Sequence, residues 1–220
     1  MKNRVALVFG ATGLIGSEVV RLLLASDEYA EVHAVTRKEL GIESNKLRAH
    51  LTDFSDLSSL QLPDNISDVF CCLGTTQKKA GSKEAFYAID FQLAFDLSRL
   101  AREAGAQQFL MVSSIGAEAG SSNYYLKVKG ELEEAVRGLS YTCTKVFRPS
   151  LLLGERAEQR FAEGLAGSVL PHLSFLFQGP LRKYRPIEGT AVARALVAGA
   201  LEGGNGFCVL EGDEIAKLAG

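Results

Sequence analysis

Short apolar runs alternate with longer segments of helical periodicity along most of the chain. The short runs predict strands, and the segments in which apolar residues recur every three or four positions predict helices. The predicted strands are 5–9, 31–36, 46–51, 68–73, 108–112, 142–147 and 206–210, and the predicted helices are 14–24, 83–104, 124–137 and 190–202. Run 68–73 lacks polar alternation, which is typical of a central parallel strand covered on both faces. This alternation of strands and helices indicates an α/β fold with a parallel sheet.

Polar residues and glycines at the predicted helix ends support these boundaries. Ser82 is predicted to cap helix 83–104, and Gly105 is predicted to end it. Thr190 is predicted to cap the last of the four helices.

Three evenly spaced glycines, Gly10, Gly13 and Gly16, separate the first strand from the first helix. In such a unit the first glycine permits a sharp turn, the second lets backbone N–H groups approach a pyrophosphate, and the third lets the helix pack closely on the strand. The phosphates would meet the positive end of the helix dipole. An ordinary glycine-rich loop is the alternative, but the flanking strand and helix favour dinucleotide binding.

Length, charge and cysteine usage restrict the class of protein. A chain of 220 residues is long enough for one α/β domain with a full core, and we expect a single domain. The net charge is −2 with the two signs interspersed, which argues against nucleic-acid binding. The sequence shows no apolar signal segment and no membrane-spanning run, so a cytoplasmic protein without a membrane partner is expected. The four cysteines are expected to be buried reduced thiols in strands.

Charged residues follow the second and third predicted strands, where a doubly wound fold contacts the adenosine part of a dinucleotide. Arg37 at the end of the second strand favours NADP, because a basic residue there accommodates a 2′-phosphate. A solvated turn charge is the alternative interpretation of Arg37. Asp53 either contacts the adenine edge or caps the turn that it begins.

Polar side chains that could carry chemistry lie at the end of the fifth strand and at the start of the next helix. Tyr125 and Lys129 are four residues apart, so their side chains lie on the same helix face. A free phenol has a pKa of about 10, and a neighbouring ammonium stabilises the phenolate. Ser113 or Ser114 could donate a hydrogen bond to a substrate carbonyl. Without the glycine turn and the strand ends nearby, the alternative interpretation of Tyr125 and Lys129 is an exposed pair on a helix surface. Tyr124 is the rival tyrosine, but the residue four positions after it is Val128 and not a lysine.

Four segments together resemble the short-chain dehydrogenase/reductase superfamily of extended or atypical type. They are Gly10–Gly16, Val112–Ser114, Tyr125–Lys129 and Phe147–Ser150. Segments Phe70–Gly81 and Tyr125–Glu131 are similar, more narrowly, to the Tat-interacting tumour-suppressor oxidoreductase branch of that superfamily. The resemblance covers nearly the whole chain, and the last two segments are its most specific part.

The resemblance implies a doubly wound Rossmann domain with strand order 3-2-1-4-5-6, an NADP cofactor with NAD as the alternative, and catalysis by Ser114, Tyr125 and Lys129. The implied cofactor contacts are Gly10, Thr12, Gly13, Leu14, Ile15, Gly16, Arg37, Asp53, Leu73, Gly74, Ser113 and Lys129. The chain departs from the family at Asp90, where many extended members have an asparagine that takes part in a proton relay.

We therefore predict hydride transfer between NADP(H) and a small carbonyl or alcohol. Segment 151–190, with Phe175, Phe177 and Leu181, is predicted to form a small apolar lid over the substrate. Arg148 is expected either to bind an anionic substrate group or to support the loop at Pro149. The alternative function is an NADP(H)-sensing regulator that acts through a protein partner without turnover. A homodimer through the long helices is one expectation for the assembly.

Overall fold

The computed structural model describes residues 3–153 and 185–220 of the chain. The predicted strands are present, with ends that differ by at most two residues from the prediction. The strands are β1 (Arg4–Phe9), β2 (Tyr29–Thr36), β3 (Leu47–Leu51), β4 (Asp68–Cys71), β5 (Gln108–Val112), β6 (Cys143–Arg148), β7 (Leu152–Leu153), β8 (Ile187–Glu188) and β9 (Gly206–Glu211).

The helices flank the strands, and one of the helical segments is a π-helix. They are α1 (Leu14–Ala25), α2 (Gln77–Ala80), α3 (Lys83–Tyr87), a π-helical segment (Ala88–Leu93), α4 (Ala94–Glu103), α5 (Tyr124–Gly138), α6 (Gly189–Glu202) and α7 (Gly212–Ala219). Among the described residues, none of the helices is both long and apolar enough to cross a membrane.

Seven parallel strands form one sheet in the order β3-β2-β1-β4-β5-β6-β9. This confirms the α/β fold and the implied order 3-2-1-4-5-6, to which β9 adds an outer strand. The strand order reverses direction between β1 and β4, and ligands of such sheets bind outside the carboxyl ends of the strands at that crossover. β7 and β8 pair separately, with Leu152 opposite Ile187.

Both faces of the sheet are covered, as the apolar strands require. One core cluster joins α1 and α6 to the sheet and includes Val8, Val19 and Leu196. The second cluster joins α4 and α5 to the opposite face and includes Leu97 and Val136. The sheet, with the carboxyl ends of its strands, is therefore packed between helices on both faces.

The predicted helix 83–104 is interrupted by the π-helical segment. Ser82 caps its start as predicted, since its hydroxyl accepts a hydrogen bond from the Ala85 N–H at 3.0 Å. Gly105 follows its end with a φ of 89°. Phe86, Asp90 and Ala94 are all buried, and they lie on the side of this helix that faces the protein.

Two predictions about the C-terminal part are wrong, and one helix there was not predicted. Thr190 does not cap a helix, because α6 begins one residue earlier and the Thr190 hydroxyl donates to the Glu188 carboxylate at 3.2 Å. Helix α7 was not predicted; Glu211 and Glu214 cap it through reciprocal bonds to each other's backbone N–H groups. The predicted burial of all cysteines also fails at Cys208, which is exposed on the outer strand β9.

Most of the predicted lid lies outside the described residues. Phe175, Phe177 and Leu181 belong to that part of the chain. Of segment 151–190, the structure describes the short β7–β8 pair and the residues that lead into α6.

Candidate active site

The glycine turn after β1 has the close backbone packing that its spacing predicts. Gly10 has a φ of 79°, and a Cβ atom there would lie 2.6 Å from the Cys72 carbonyl oxygen. A Cβ atom at Gly16 would lie 2.2 Å from the Gly10 carbonyl oxygen. The Gly13 N–H closes the turn by donating to the Gly10 carbonyl at 2.9 Å. The turn therefore brings β1, β4 and α1 closer together than any side chain at Gly10 or Gly16 would permit.

The start of α1 presents backbone donors rather than side chains. Gly13 precedes the helix without a side-chain cap, and the first turn contains no acidic residue. Ile15 is buried in the core, and the side chain of Leu14 packs against Gly189. Since the first N–H groups of a helix lack partners within the helix and lie at its positive end, this turn fits an anionic group such as a pyrophosphate.

The charged side chains that follow β2 and β3 differ in the hydrogen bonds that they make. Arg37 is exposed and makes no hydrogen bond or ion pair with the described part of the chain. The Asp53 carboxylate accepts bonds from the Ser55 N–H at 2.8 Å and from the Ser55 hydroxyl at 2.6 Å. These bonds, the hydroxyl first, lower the pKa of Asp53. Asp53 therefore caps a turn, which was one of its two predicted roles.

Lys129 forms a buried ion pair beside the loop that follows β4. Its ammonium lies 2.7 Å from the Asp90 carboxylate, and both side chains are at most 4 % exposed. A Cβ atom at Gly74 would lie 3.5 Å from the Lys129 Nζ and 3.6 Å from Asp90 Oδ1. Burial by itself lowers the pKa of Lys129, but the Asp90 carboxylate, with help from Tyr125, outweighs burial and raises it. The lysine is thus held as an ammonium next to the Leu73–Gly74 loop.

Tyr125 and Tyr124 take different directions at the start of α5. The hydroxyl of Tyr124 donates to the Lys83 carbonyl at 3.1 Å, and its ring lies beside the Lys83 ammonium. Tyr125 instead packs its ring on Phe86, with ring centroids 5.7 Å apart, and interacts electrostatically with Lys129. Its hydroxyl makes no hydrogen bond to the residues that the structure describes. Of the two tyrosines, Tyr125 is the one associated with Lys129, as the four-residue spacing predicts.

The two serines after β5 have different surroundings. Ser113 is 5 % exposed, and its hydroxyl donates to the Glu133 carboxylate. Ser114 is half-buried, and its hydroxyl has one long contact of 3.5 Å to the Ile115 carbonyl. Ser113 is therefore committed to a structural bond, whereas the Ser114 hydroxyl is available at the edge of the sheet.

Arg148 lies in a network of ion pairs with Glu133 and Glu211. Its guanidinium donates to both carboxylate oxygens of Glu133, at 3.0 and 2.6 Å, and reaches Glu211 at 3.3 Å. The bonds to Glu133 outweigh burial and raise the pKa of Arg148. This network ties α5 to the ends of β6 and β9, and the two predicted roles of Arg148, an anion contact and support of the loop at Pro149, stay predictions.

Three residues at the site were not found by sequence reasoning. Asp90 was noted only as a departure from a family pattern, Glu133 was not singled out, and Gly130 was passed over. A Cβ atom at Gly130 would lie 2.3 Å from the Ala119 backbone nitrogen, so this glycine lets α5 pack on the preceding loop. Gly130 could have been found from the sequence, because a small residue on the inner face of a helix indicates close packing. Asp90 and Glu133 could not, because the residues that they contact are distant in the sequence.

The comparison with known families assigns the chain to one of them. The profile of the NAD dependent epimerase/dehydratase family matches residues 6–174, which is more than half of the chain. The chain belongs to this family. Its α/β fold with a parallel Rossmann sheet agrees with that assignment.

Curated relatives match this chain over most of its length. "Protein FMP52, mitochondrial" of Candida albicans is 33% identical and covers 96% of both chains. "Protein HTATIP2" of Rattus norvegicus is 35% identical, over 76% of this chain and 70% of the rat protein. The second relative confirms the narrower resemblance drawn from the sequence.

The FMP52 relatives contradict the predicted cytoplasmic location, because their names place them in mitochondria. The prediction rested on the lack of an apolar segment. That criterion concerns export and membrane insertion, whereas mitochondrial import signals are amphipathic rather than apolar. The cytoplasmic assignment is therefore wrong.

Solved structures of low sequence identity share the fold. "MoeE5 in complex with UDP-glucose and NAD" aligns with a TM-score of 0.68 at 20% identity, over 97% of this chain and 80% of that chain. The Bordetella bronchiseptica enzyme WbmF in complex with NAD+ aligns with a TM-score of 0.68, also at 20% identity, over 99% of this chain and 76% of WbmF. These likenesses show the Rossmann architecture of the epimerase/dehydratase family.

Proposed function

We propose that this protein is an oxidoreductase that transfers a hydride between NADP(H) and a small carbonyl or alcohol, with Tyr125 as the acid/base. The observation that carries the proposal is the arrangement at one sheet edge. The glycine turn, the Gly74 loop and the Tyr125–Lys129 pair of α5 all lie at the carboxyl ends of β1, β4 and β5. That edge is where open α/β sheets bind dinucleotides.

The residues present fit a nicotinamide dinucleotide. The turn from Gly10 to Gly16 would hold the pyrophosphate, because its closely packed backbone leaves the N–H groups of α1 facing outward. The exposed guanidinium of Arg37, which has no partner among the described residues, would contact a 2′-phosphate, which favours NADP over NAD. The Leu73–Gly74 loop would lie against the cofactor. When bound, the nicotinamide supplies or accepts the hydride.

The chain's own residues supply the proton transfer and the orientation of the substrate. Tyr125 would exchange a proton with the substrate oxygen through a phenol that makes no other described hydrogen bond. The Lys129 ammonium, held on the same helix face, would favour the ionised form of that phenol. Ser114 would donate a hydrogen bond to the same oxygen, since Ser113 is engaged by Glu133.

The cofactor is tested by calorimetric titration of the purified protein with NADPH, NADH and NADP⁺. We expect NADPH to bind more tightly than NADH, and Arg37→Ala to weaken NADPH binding by about tenfold or more while leaving NADH unchanged. Lys38→Ala, a change in the adjacent exposed residue, is the matched control. If none of the three dinucleotides binds, the proposal is wrong.

The acid/base role is tested by comparing Tyr125→Phe with Tyr124→Phe in a screen of small carbonyls. We expect Tyr125→Phe to lose at least about a hundredfold in turnover with dinucleotide affinity unchanged, because one hydroxyl supplies the proton. Tyr124→Phe removes a hydroxyl from the adjacent position, where it bonds the Lys83 carbonyl, and should retain turnover. Equal activity of the two variants would contradict the role of Tyr125. Dinucleotide binding without turnover on any carbonyl would favour a sensor instead.

A further inference from the structure

The carboxylate of Asp90 joins two parts of the site that come from distant parts of the chain. One oxygen, Oδ1, lies 2.7 Å from the Lys129 ammonium on α5. The other, Oδ2, accepts a hydrogen bond from the Thr75 backbone N–H at 2.8 Å, in the loop after β4. The residue is 1 % exposed and lies in the π-helical segment. One oxygen of this buried carboxylate is therefore held by a hydrogen bond and the other by an ion pair, with no hydrogen bond to Oδ1 among the described residues.

We propose that Asp90 is a positioning residue that holds the Lys129 ammonium and the Gly74–Thr75 loop in one fixed arrangement, so that the lysine and the cofactor loop move only together. The inference rests on the proposed function for its catalytic consequence. Its structural part concerns the described residues alone.

The pattern of donors at this position requires a carboxylate. The Thr75 N–H and the Lys129 ammonium are both donors, and an ionised aspartate offers an acceptor to each. An asparagine of the same shape has one acceptor oxygen and one donor NH₂ group, so in either orientation its NH₂ group would face a donor. The chain therefore needs aspartate at residue 90, where the family resemblance leads one to expect asparagine.

The charge of Asp90 matters for the same reason. An ammonium as buried as that of Lys129 is costly without a counter-charge. Asp90 is the carboxylate that the described structure pairs with it. Without that carboxylate, burial would favour the neutral amine, and the lysine would lose the charge that stabilises a phenolate at Tyr125.

Asp90→Asn tests the inference, and Asp96→Asn is its matched control. Asp96 lies on α4, and its carboxylate accepts an exposed bond from Gln92 at 2.9 Å. Lysine side-chain NMR on the protein without ligand follows the titration of Lys129, which is assigned by its absence in Lys129→Met. We expect Lys129 to titrate at a lower pH in Asp90→Asn and to be unchanged in Asp96→Asn. An unchanged titration in Asp90→Asn would overturn the proposal.

Kinetics with a dinucleotide and a turned-over carbonyl provide the second measurement. We expect Asp90→Asn to lower kcat by about tenfold to a hundredfold, since the counter-charge of Lys129 is lost and the amide group can accept from only one of the two donors. Its KM for the dinucleotide should rise, because the Gly74–Thr75 loop is released. The pH profile of kcat should move to higher pH as the phenolate at Tyr125 loses the lysine charge. A uniform loss of active protein, with kcat, KM and pH profile of the remainder unchanged, would show a merely structural role and overturn the proposal.

A double variant keeps the test informative if Asp90→Asn folds poorly. Asp90→Asn with Lys129→Gln removes both charges, so no uncompensated ammonium remains buried. We expect it to unfold at a higher urea concentration than Asp90→Asn alone, and the reverse order would overturn the pairing. The NMR titration and the unfolding comparison need no dinucleotide. If the protein binds none, the proposed function fails while these two results still decide the role of Asp90.

Discussion

Replacing Gly130 with alanine should damage the site through the loop that carries Ser114. A Cβ atom at Gly130 would lie 2.3 Å from both the Ala119 nitrogen and the Glu118 carbonyl carbon. Ordinary contacts begin near 3.4 Å, so the loop must retreat by about 1 Å. Overpacking of this kind costs about 1–3 kcal/mol, and the better helix propensity of alanine offsets at most about 1 kcal/mol.

The expected net loss in the free energy of unfolding is about 1–2 kcal/mol, which corresponds to about 2–8 °C in Tm for a chain of this size. The same displacement should lower turnover by about tenfold to a hundredfold, because catalytic groups misplaced by about 1 Å lose rate steeply. Thermal denaturation and steady-state kinetics measure the two effects.

Gly138→Ala on the same helix is the matched control. A Cβ atom at Gly138 would meet no atom within 4 Å. We therefore expect that variant to be at least as stable as the unmodified protein and to keep its activity. If Gly130→Ala is as stable and active as the unmodified protein, or if Gly138→Ala loses as much, the reasoning from close packing is wrong.

Two further predictions concern buried groups. Glu133→Gln should lower the free energy of unfolding by about 2–3 kcal/mol, since it removes the main counter-charge of Arg148. The control is Glu131→Gln, because Glu131 pairs with Lys127 at the surface over 3.9 Å; this change should lower the free energy of unfolding by less than about 0.5 kcal/mol. Equal urea midpoints would contradict this. Burial raises the pKa of Cys71 from 9.0 to about 11, so the folded protein is fully stabilised below pH 9.0 and loses about 2–3 kcal/mol as the pH rises through 11. Cys71→Ala should lack this loss in denaturation curves at alkaline pH, and parallel curves for the two proteins would refute it.

Local sequence patterns were enough to predict the strands of the sheet and the glycine turn. Apolar runs and turn residues determine where strands begin and end, and the spacing of Gly10, Gly13 and Gly16 reflects contacts made within one strand, turn and helix unit. The shift at Thr190 and the missed helix α7 have a local cause as well. Both helices are preceded by glutamate, which is not among the residues that usually cap helices.

The chemistry of the site was less predictable because its decisive contacts join distant residues. The spacing of Tyr125 and Lys129 is visible in one helix, but the partner of Lys129 is Asp90, which is 39 positions earlier. The choice between Ser113 and Ser114 depends on Glu133, which follows on another element. Sequence periodicity describes which way a side chain points within its own helix and contains no information about what it meets there.

The π-helical segment determines what length of chain this site tolerates. Phe86, Asp90 and Ala94 are spaced four residues apart, and over those eight residues a regular α-helix would turn them about 80° out of line. The wider turn keeps all three facing inward. A regular α-helix would need one residue fewer here, because residues seven positions apart lie within about 20° of each other on its surface. The π-helical segment thus accommodates one extra residue in this helix while Phe86, Asp90 and Ala94 all stay on its inner face.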